Sequence, residues 1–342
     1  MGEIGNGIEG QMELTNDGQD IAISPEAESM LSVLFNDDYD ESETAETSES
    51  AEFEAIDAKQ EMNNLFSDDY SDSESETKKS ESDTDEQEKV DLSKQYEPNS
   101  KFEVNGQTYE TDDNGYIYKE DGYKLRPDCE YTIDGVTYKT DSLGRIVSCD
   151  GSARATPDGE RDNKAQQEAG GSDRKEGNQG GHIIARVLGG SKGIENMLAM
   201  RGPINQGPYS HIMEKEIKDA LNDGKEVHVH VDVEYDGDSQ RPSKIRVTYN
   251  IDGKDTVMEY DNDEGSTDLL DSVEDKVDEE QYNDLKNEID EANADGAKMS
   301  IIAVKTEYDE NGNITKVTII MRDDNAEHPQ NEPRVLSPKE VS

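Results

Sequence analysis

One segment of the sequence, 178–210, combines residue types that could hydrolyse a phosphodiester. His182 follows a pair of glycines, and Asn196 and Asn205 lie fourteen and twenty-three residues further along the chain. A neutral imidazole is the usual side chain for removing a proton from water near pH 7. An amide oxygen is a hard, neutral ligand that suits Mg²⁺, a metal that keeps several of its waters. An imidazole that activates water and a metal that neutralises phosphate charge would be sufficient for the reaction.

The glycine pair and the two asparagines favour a catalytic role for His182 over a structural one. Glycine reaches backbone conformations that other residues do not, so we expect the pair to end a strand abruptly and project the imidazole. Elsewhere, His228 and His230 share a strand face with Asp232, because alternate residues of a strand point the same way. Such a group could bind a transition metal, but we interpret it as an exposed hairpin face.

A helix is predicted directly after Asn205. Pro208 suits the first turn of a helix, and Gly224 suits the position just after its end. Apolar residues recur between them at helical spacing, at Ile212, Met213, Ile217, Ala220 and Leu221.

A hairpin is predicted after this helix, and the whole pattern then recurs. Residues 227–235 and 243–251 each alternate apolar and polar side chains, which is typical of strands. Residues 287–321 repeat the order of helix, strand, loop and strand found in 215–251. Nothing upstream of the copy resembles Gly-Gly-His, so we expect a second helix-plus-hairpin unit without a catalytic centre, followed by a tail.

A shorter repeat precedes the catalytic segment. FEVNGQTYETDDNGYIY (102–118) matches YTIDGVTYKTDSLGRIV (131–147) at an offset of 29 residues. Each copy places Asn-Gly or Asp-Gly between alternating runs, which predicts a tight hairpin turn. Cys129 and Cys149 flank the second copy and could form one disulfide or none.

Charge is unevenly distributed along the 342 residues, whose formal net charge is -49. Residues 1–95 hold 29 acidic against 5 basic side chains, which predicts a disordered region. Residues 151–250 hold 16 against 14, so a polyanionic partner would be tolerated there. The predicted organisation is an acidic disordered region (1–95), a tandem β-hairpin repeat (96–150), a catalytic domain (151–252), and an acidic linker with the second helix-hairpin unit and the tail (253–342).

The sequence contains no apolar run of the length that a membrane span needs, about eighteen residues. The first residues, MGEIGNGIEGQMEL, lack the basic start and apolar core of a standard signal peptide. Localisation is therefore undetermined, and export by another route stays open.

The motifs GGHIIARVLGG, IENMLAM, INQGPY and MEKE, in this order, resemble the bacterial DNA/RNA non-specific endonuclease family. These are the His-Me or ββα-metal finger nucleases, and the similarity is greatest to their toxin-like branch, from about Tyr138 to Asp252. The resemblance implies an α+β fold with a ββα-metal core and antiparallel hairpins. It implies a metal-dependent endonuclease that acts on DNA, with RNA as a second substrate to be tested.

The resemblance also implies roles for individual residues. His182 would be the general base, and Asn205 would be the direct ligand of Mg²⁺ or Mn²⁺. Asn196 would brace the loop through its side-chain hydrogen bonds. Glu214 would hold a metal-bound water or orient Asn205.

Contacts with other molecules follow from the same resemblance. Arg186 and Arg201 are the candidates for contacts with substrate phosphates. Nucleic acid is the expected partner, and a toxin of this branch would have a cognate immunity protein.

Three positions depart from the family pattern. Gln179 stands where the family has an acid before Gly-Gly-His, and Ala199 stands where it has a proline. Nine residues separate Asn205 from Glu214, one more than expected, which amounts to about 100 degrees around an α-helix. These departures support an alternative, a catalytically weakened nuclease-like protein that binds partners through its acidic arm and repeats.

Overall fold

Antiparallel strands form most of the computed structural model, which describes residues 89–157 and 161–339. The predicted acidic region lies outside the described residues as far as residue 88. The strands within the described part are β1 (Lys101–Val104), β2 (Gln107–Thr111), β3 (Ile117–Glu120), β4 (Lys124–Leu125), β5 (Glu130–Ile133), β6 (Val136–Thr140), β7 (Ile146–Ser152), β8 (Asn178–His182), β9 (Met197–Arg201), β10 (Val227–Tyr235), β11 (Pro242–Ile251), β12 (Lys254–Asp261), β13 (Met299–Tyr308), β14 (Ile314–Asp323) and β15 (Glu332–Leu336).

The strands form three sheets. The first contains β1 to β4 in order, and the second is the pair β8-β9. The third has nine strands in the order β15-β14-β13-β12-β11-β10-β7-β6-β5, and all of its neighbouring strands pair antiparallel. The helices of the described residues are Asn163–Glu168, Gly202–Ile204, Asn205–Glu214, Lys215–Asn222, Asp268–Glu274 and Glu279–Ala294, with short 3-10 helices at Gly171–Asp173, Arg186–Leu188 and Ile194–Asn196.

The two copies of the short repeat lie in different sheets. The predicted turns are confirmed, since Asn105, Gly106, Asp134 and Gly135 all have the positive φ that a type I′ turn requires. The first copy forms β1 to β3 of the small sheet, whereas the second forms β5 to β7 of the nine-stranded sheet. β7 crosses the predicted boundary at residue 150 and pairs with β10, so the second copy and the following segment share one sheet. Cys129 and Cys149 are free thiols.

Residues 178–222 contain two strands followed by a helix. β8 and β9 pair antiparallel and place His182 opposite Met197. A helical stretch, 202–222, begins directly after β9 and is called the site helix below. Its middle part, Asn205–Glu214, is wound as a π-helix with a non-helical kink at Gly207. The predicted hairpin is formed by β10 and β11, and β12, which the sequence pattern did not indicate, extends the sheet beyond it.

The copy at 287–321 forms the predicted helix and hairpin, and the hairpin continues the same sheet. Helix Glu279–Ala294 precedes β13 and β14, and β13 pairs with β12. Both faces of β13 are covered. Ile301 packs in a core with the helices 268–274 and 279–294, while Ile302 packs in the core that contains the catalytic segment. Part of the expected tail is also ordered, because β15 pairs with β14.

The expectation of an α+β fold with antiparallel sheets is confirmed. Strands predominate and helices are few in the described part of the chain. Within it, every helix is too short or too polar to cross a membrane.

A buried ion pair joins the site helix to the C-terminal half of the sheet. The Lys305 Nζ atom on β13 lies 2.6 Å from a carboxylate oxygen of Glu216 and 2.6 Å from one of Glu307, and its side chain is 5% exposed. Burial lowers the pKa of Lys305, but the two carboxylates outweigh it and leave the pKa above its ordinary value. Lys305 therefore stays charged between the two carboxylates.

Replacing Lys305 by alanine should destabilise the protein by about 3 kcal/mol, because two partly buried carboxylates would face each other without a cation. Urea unfolding at pH 7 measures the change. Lys254→Ala, at the exposed first residue of β12, is the matched control and should stay within about 0.5 kcal/mol of the parent. Equal effects of the two substitutions would show that the ion pair does not hold the site helix to the sheet.

Candidate active site

The glycine pair before His182 is required by close packing. A Cβ atom on Gly180 would lie 2.2 Å from the carbonyl oxygen of Gln166, in the helix that packs against β8. A Cβ atom on Gly181 would lie 2.5 Å from the amide oxygen of Asn205. Neither glycine has a positive φ, so the expectation of an unusual backbone conformation at this pair is wrong. Because Gly180 has no side chain, the helix that contains Gln166 can approach it closely. Gly181 in the same way leaves room for the Asn205 amide.

Gln179 fixes the orientation of the Asn205 side chain. The Asn205 Nδ2 atom donates a hydrogen bond of 2.7 Å to the Gln179 Oε1 atom. The Oδ1 atom must then point the other way, and it is this atom that lies against Gly181. A carboxylate at position 179 would accept the same hydrogen bond, so the glutamine keeps the acceptor and loses only the negative charge.

His182 is held at the end of β8 by contacts on both sides. The imidazole is half-buried and its Nε2 atom is buried. The next residue, Ile183, donates its backbone N–H to the Asn196 carbonyl at 2.9 Å. The Ile183 carbonyl accepts a hydrogen bond of 2.7 Å from the Tyr209 hydroxyl of the site helix. The backbone directly after His182 is therefore tied both to Asn196, the residue before β9, and to the site helix.

The Asn196 side chain makes three hydrogen bonds within the loop that follows His182. Its side chain is fully buried, and its Oδ1 atom accepts a hydrogen bond of 3.0 Å from the Ile184 N–H. Its Nδ2 atom donates to the carbonyls of Ile184 and Ser191, each at 2.8 Å. The buried amide is thus fully engaged in hydrogen bonds inside the loop.

Glu214 lies at the end of the π-wound part of the site helix. Burial raises the pKa of its carboxyl to about 7, against the opposing effects of a Ser210 hydrogen bond and the Arg161 charge. The nine-residue spacing between Asn205 and Glu214 coincides with the π-helical part of the site helix. A π-helix accommodates an extra residue because its backbone hydrogen bonds join residues five apart instead of four. The orienting contact made to Asn205 comes from Gln179, not from Glu214.

The two arginines expected at the phosphate have different surroundings. The Arg201 guanidinium is buried and lies 2.5 Å from the Asp324 carboxylate, so its charge is neutralised inside the protein. The expectation that Arg201 contacts a phosphate is therefore not supported. Arg186 is half-buried, donates to the Gly190 carbonyl, and lines an open cleft together with Lys164. The residues that line this cleft do not include His182 or Asn205.

The donor groups present fit a metal that takes few protein ligands. Among the residues described here, the Asn205 Oδ1 atom accepts no hydrogen bond, and no cluster of three His, Cys, Asp or Glu side chains could hold a metal ion. Mg²⁺ is usually bound by one or two protein oxygens and retains water or takes substrate phosphate oxygens for the rest. A single amide oxygen, with water or phosphate oxygens completing the coordination, matches that preference.

Asn262 supports the site and was not identified from the sequence. Its buried side chain accepts a hydrogen bond of 2.8 Å from the Arg201 N–H and donates to the carbonyls of Ala199 and Pro242. It thereby joins β9 to β11. Its sequence context, Asp-Asn-Asp in an acidic stretch, is typical of an exposed turn and gave no signal of burial.

Comparison with known proteins gives matches within one part of the chain. Residues 127–253 match the family described as DNA/RNA non-specific endonuclease. The chain is 42% identical over 102 residues to the type VII secretion system protein EssD of Staphylococcus aureus strain USA300, covering 28% of this chain and 17% of that protein. The proteins of the same name from strains NCTC 8325 / PS 47 and Newman show the same identity, covering 17% and 16% of their lengths. The chain spans less than a fifth of these curated relatives.

The two glycines should respond differently to alanine. Gly180→Ala meets the backbone of Gln166 and should cost about 3 kcal/mol of folding stability. Gly181→Ala meets the ends of two flexible side chains, those of Asn205 and Met200, which can move. It should keep most of the stability yet reduce Mg²⁺-dependent plasmid cleavage about 10- to 100-fold. Urea unfolding and a cleavage assay measure the two effects, and a Gly181→Ala protein as active as the parent would contradict this geometry.

Glu214→Gln should stabilise the protein at pH 8 and make little difference at pH 5. The folded protein holds the Glu214 proton more tightly than the unfolded chain, so the parent loses stability as pH rises from about 4.5 through about 7. The neutral glutamine avoids that loss, by an amount on the order of 2 kcal/mol. Thermal unfolding at the two pH values measures it, with exposed Glu327→Gln as the control. A difference that does not change with pH would contradict the raised pKa.

Proposed function

Because residues 127–253 match the DNA/RNA non-specific endonuclease family, we propose that this chain is a metal-dependent endonuclease that hydrolyses phosphodiester bonds in DNA and RNA. The observation that carries the proposal is the placement of the Asn205 amide oxygen against Gly181, the residue before His182. β8, β9 and the site helix would constitute the ββα-metal core of a His-Me finger.

His182 is the general base of the proposed reaction. It removes a proton from a water molecule, the water oxygen attacks phosphorus, and the bond from phosphorus to the leaving ester oxygen breaks. Tyr209 and Asn196 fix the backbone of Ile183 from two sides, which would limit the positions open to the imidazole of His182. A preset imidazole lowers the entropic cost of bringing base and water together.

Asn205 is the residue that would hold Mg²⁺ or Mn²⁺, through its Oδ1 atom. The bound cation would neutralise negative charge on the phosphate during the reaction. Gln179 keeps Oδ1 available by accepting the hydrogen bond from Nδ2. Without this acceptor, the amide could turn and present its N–H₂ group, which cannot bind a cation.

Contacts with the phosphate backbone would account for a lack of sequence preference. Arg186 lines an open cleft and is the proposed phosphate contact. Backbone contacts position a nucleic acid without reading its bases, so a site of this kind acts on many sequences.

The relatives suggest the biological setting. Their name assigns them to a type VII secretion system. We propose that this chain is a secreted nuclease toxin of such a system, and that the producing cell makes an immunity protein against it. A nuclease that accepts any sequence would otherwise degrade the nucleic acid of the cell that makes it.

The decisive assay incubates the purified protein with plasmid DNA and, separately, with RNA in the presence of Mg²⁺. Cleavage should be lost in EDTA and should fall at least 1,000-fold in His182→Ala, because the proton acceptor is removed (roughly the upper part of the range for general base catalysis). The matched control is His328→Ala, an exposed histidine outside the site, which should cut as the parent does.

Variants of Gln179 separate the proposed enzyme from a weakened one. Gln179→Leu removes the acceptor and should lower cleavage about 10- to 100-fold. Gln179→Glu keeps the acceptor, adds a charge and should lower the Mg²⁺ concentration needed for half-maximal rate. A parent protein that cuts neither substrate, or a His182→Ala protein that cuts as well as the parent, would favour the nuclease-like binding protein instead.

A further inference from the structure

Asn331 lies against the start of the site helix although it belongs to the last part of the chain. Its Nδ2 atom donates a hydrogen bond of 2.9 Å to the Pro203 carbonyl. A Cβ atom on Gly207 would lie 2.4 Å from the same Nδ2 atom. Asn331 therefore contacts the chain both before and after Asn205.

The site helix is irregular at this point. Gly207 has φ -99° and ψ -112°, which interrupts the helix two residues after Asn205. A helix start that is interrupted so soon has few hydrogen bonds of its own to fix its direction. A side chain that bonds to one side of the kink and packs against the other can supply that restraint.

Asn331 is itself held in place by a charged network that leads to β9. The Asn331 Oδ1 atom accepts a hydrogen bond of 3.1 Å from Arg322, and Arg322 donates to Asp324 at 2.7 Å. The other carboxylate oxygen of Asp324 lies 2.5 Å from the Arg201 guanidinium. The Arg201 and Asp324 side chains are 4% and 9% exposed, so water competes little for this ion pair.

The network has a consequence for the geometry of the site. Arg201 is the last residue of β9 and precedes the site helix directly. Residues 322–331 thus hold the end of β9 through Asp324 and the start of the site helix through Asn331. Asn205 lies between these two fixed points.

We propose that Asn331 is a positioning residue for Asn205, and that the side chains of Arg322, Asp324 and Asn331 are a working part of the catalytic unit. The chemical part of this inference rests on the proposed function. The structural part, that Asn331 fixes the start of the site helix, can be tested without nuclease activity.

The first test measures hydrogen exchange in the metal-free, full-length protein. Asn331→Ala should speed amide exchange in residues 203–210 at least 10-fold and leave exchange in β10 and β11 unchanged, because only the local restraint is lost. Asn331→Asp keeps the acceptor for Arg322 but cannot donate to Pro203, and should behave like the alanine variant. The matched control is Asn325→Ala, which removes one exposed amide hydrogen bond to the Gly296 carbonyl in the same segment.

The second test compares steady-state cleavage of plasmid DNA. Asn331→Ala should lower kcat about 10- to 100-fold with little change in KM and should raise the Mg²⁺ concentration that gives half-maximal rate. Asn325→Ala should match the parent in both respects.

The outcomes separate the two levels of the proposal. Unchanged exchange in residues 203–210 of Asn331→Ala overturns it, and so does faster exchange spread equally over β10 to β14, which would indicate general destabilisation. Faster local exchange with parental kcat and Mg²⁺ dependence overturns the link to catalysis. A parent protein without nuclease activity refutes the proposed function, while the exchange result still decides whether Asn331 fixes the helix start.

Discussion

The geometry of the site depends on the close contact between the Asn205 side-chain amide and Gly181 of β8, a residue without a side chain. The Asn205 amide oxygen occupies the space where a Cβ of residue 181 would be. The Gln179 hydrogen bond determines which end of the amide faces the strand. Two neighbours on one strand thus set the distance and the orientation of the same group. The chemistry assigned to His182 has meaning only if this contact is maintained.

Maintaining the contact requires far more of the chain than the segment that carries the site. The site helix is tied to β13 by Lys305 and Glu216, to β8 by Tyr209, and to the C-terminal segment by Asn331. The three contacts reach the site helix at different points along its length, at Pro203, Tyr209 and Glu216. The second helix-plus-hairpin unit extends the nine-stranded sheet and supplies Lys305 to one of these contacts.

Local patterns predicted the parts of this fold that local physics determines. The Asn-Gly and Asp-Gly turns, the hairpin 227–251 and the helix before it all followed from periodicity and turn chemistry. β9 was not predicted, because the five residues Met197–Arg201 are all buried and show no alternation. The reason for the glycine pair was also missed, because Gln166 and Asn205, the residues that approach the pair, are not its neighbours in sequence. Burial of Arg201 likewise depends on Asp324, more than a hundred residues away.

Buried ion pairs occupy some of the cations that could otherwise attract a polyanion to a chain of net charge -49. Several of its basic side chains are used internally: Arg201 with Asp324, Arg241 with Asp263, and Lys305 with Glu216. These cations stabilise the site and contribute little field outside it. At physiological salt, charges separated by more than about 8 Å from a bound phosphate are largely screened, so the acidic surface elsewhere repels it only weakly. In the proposed function the attraction for phosphate must therefore come from groups at the site itself. A divalent cation on Asn205 would supply it, which makes the orientation of one amide the condition for binding as well as for catalysis.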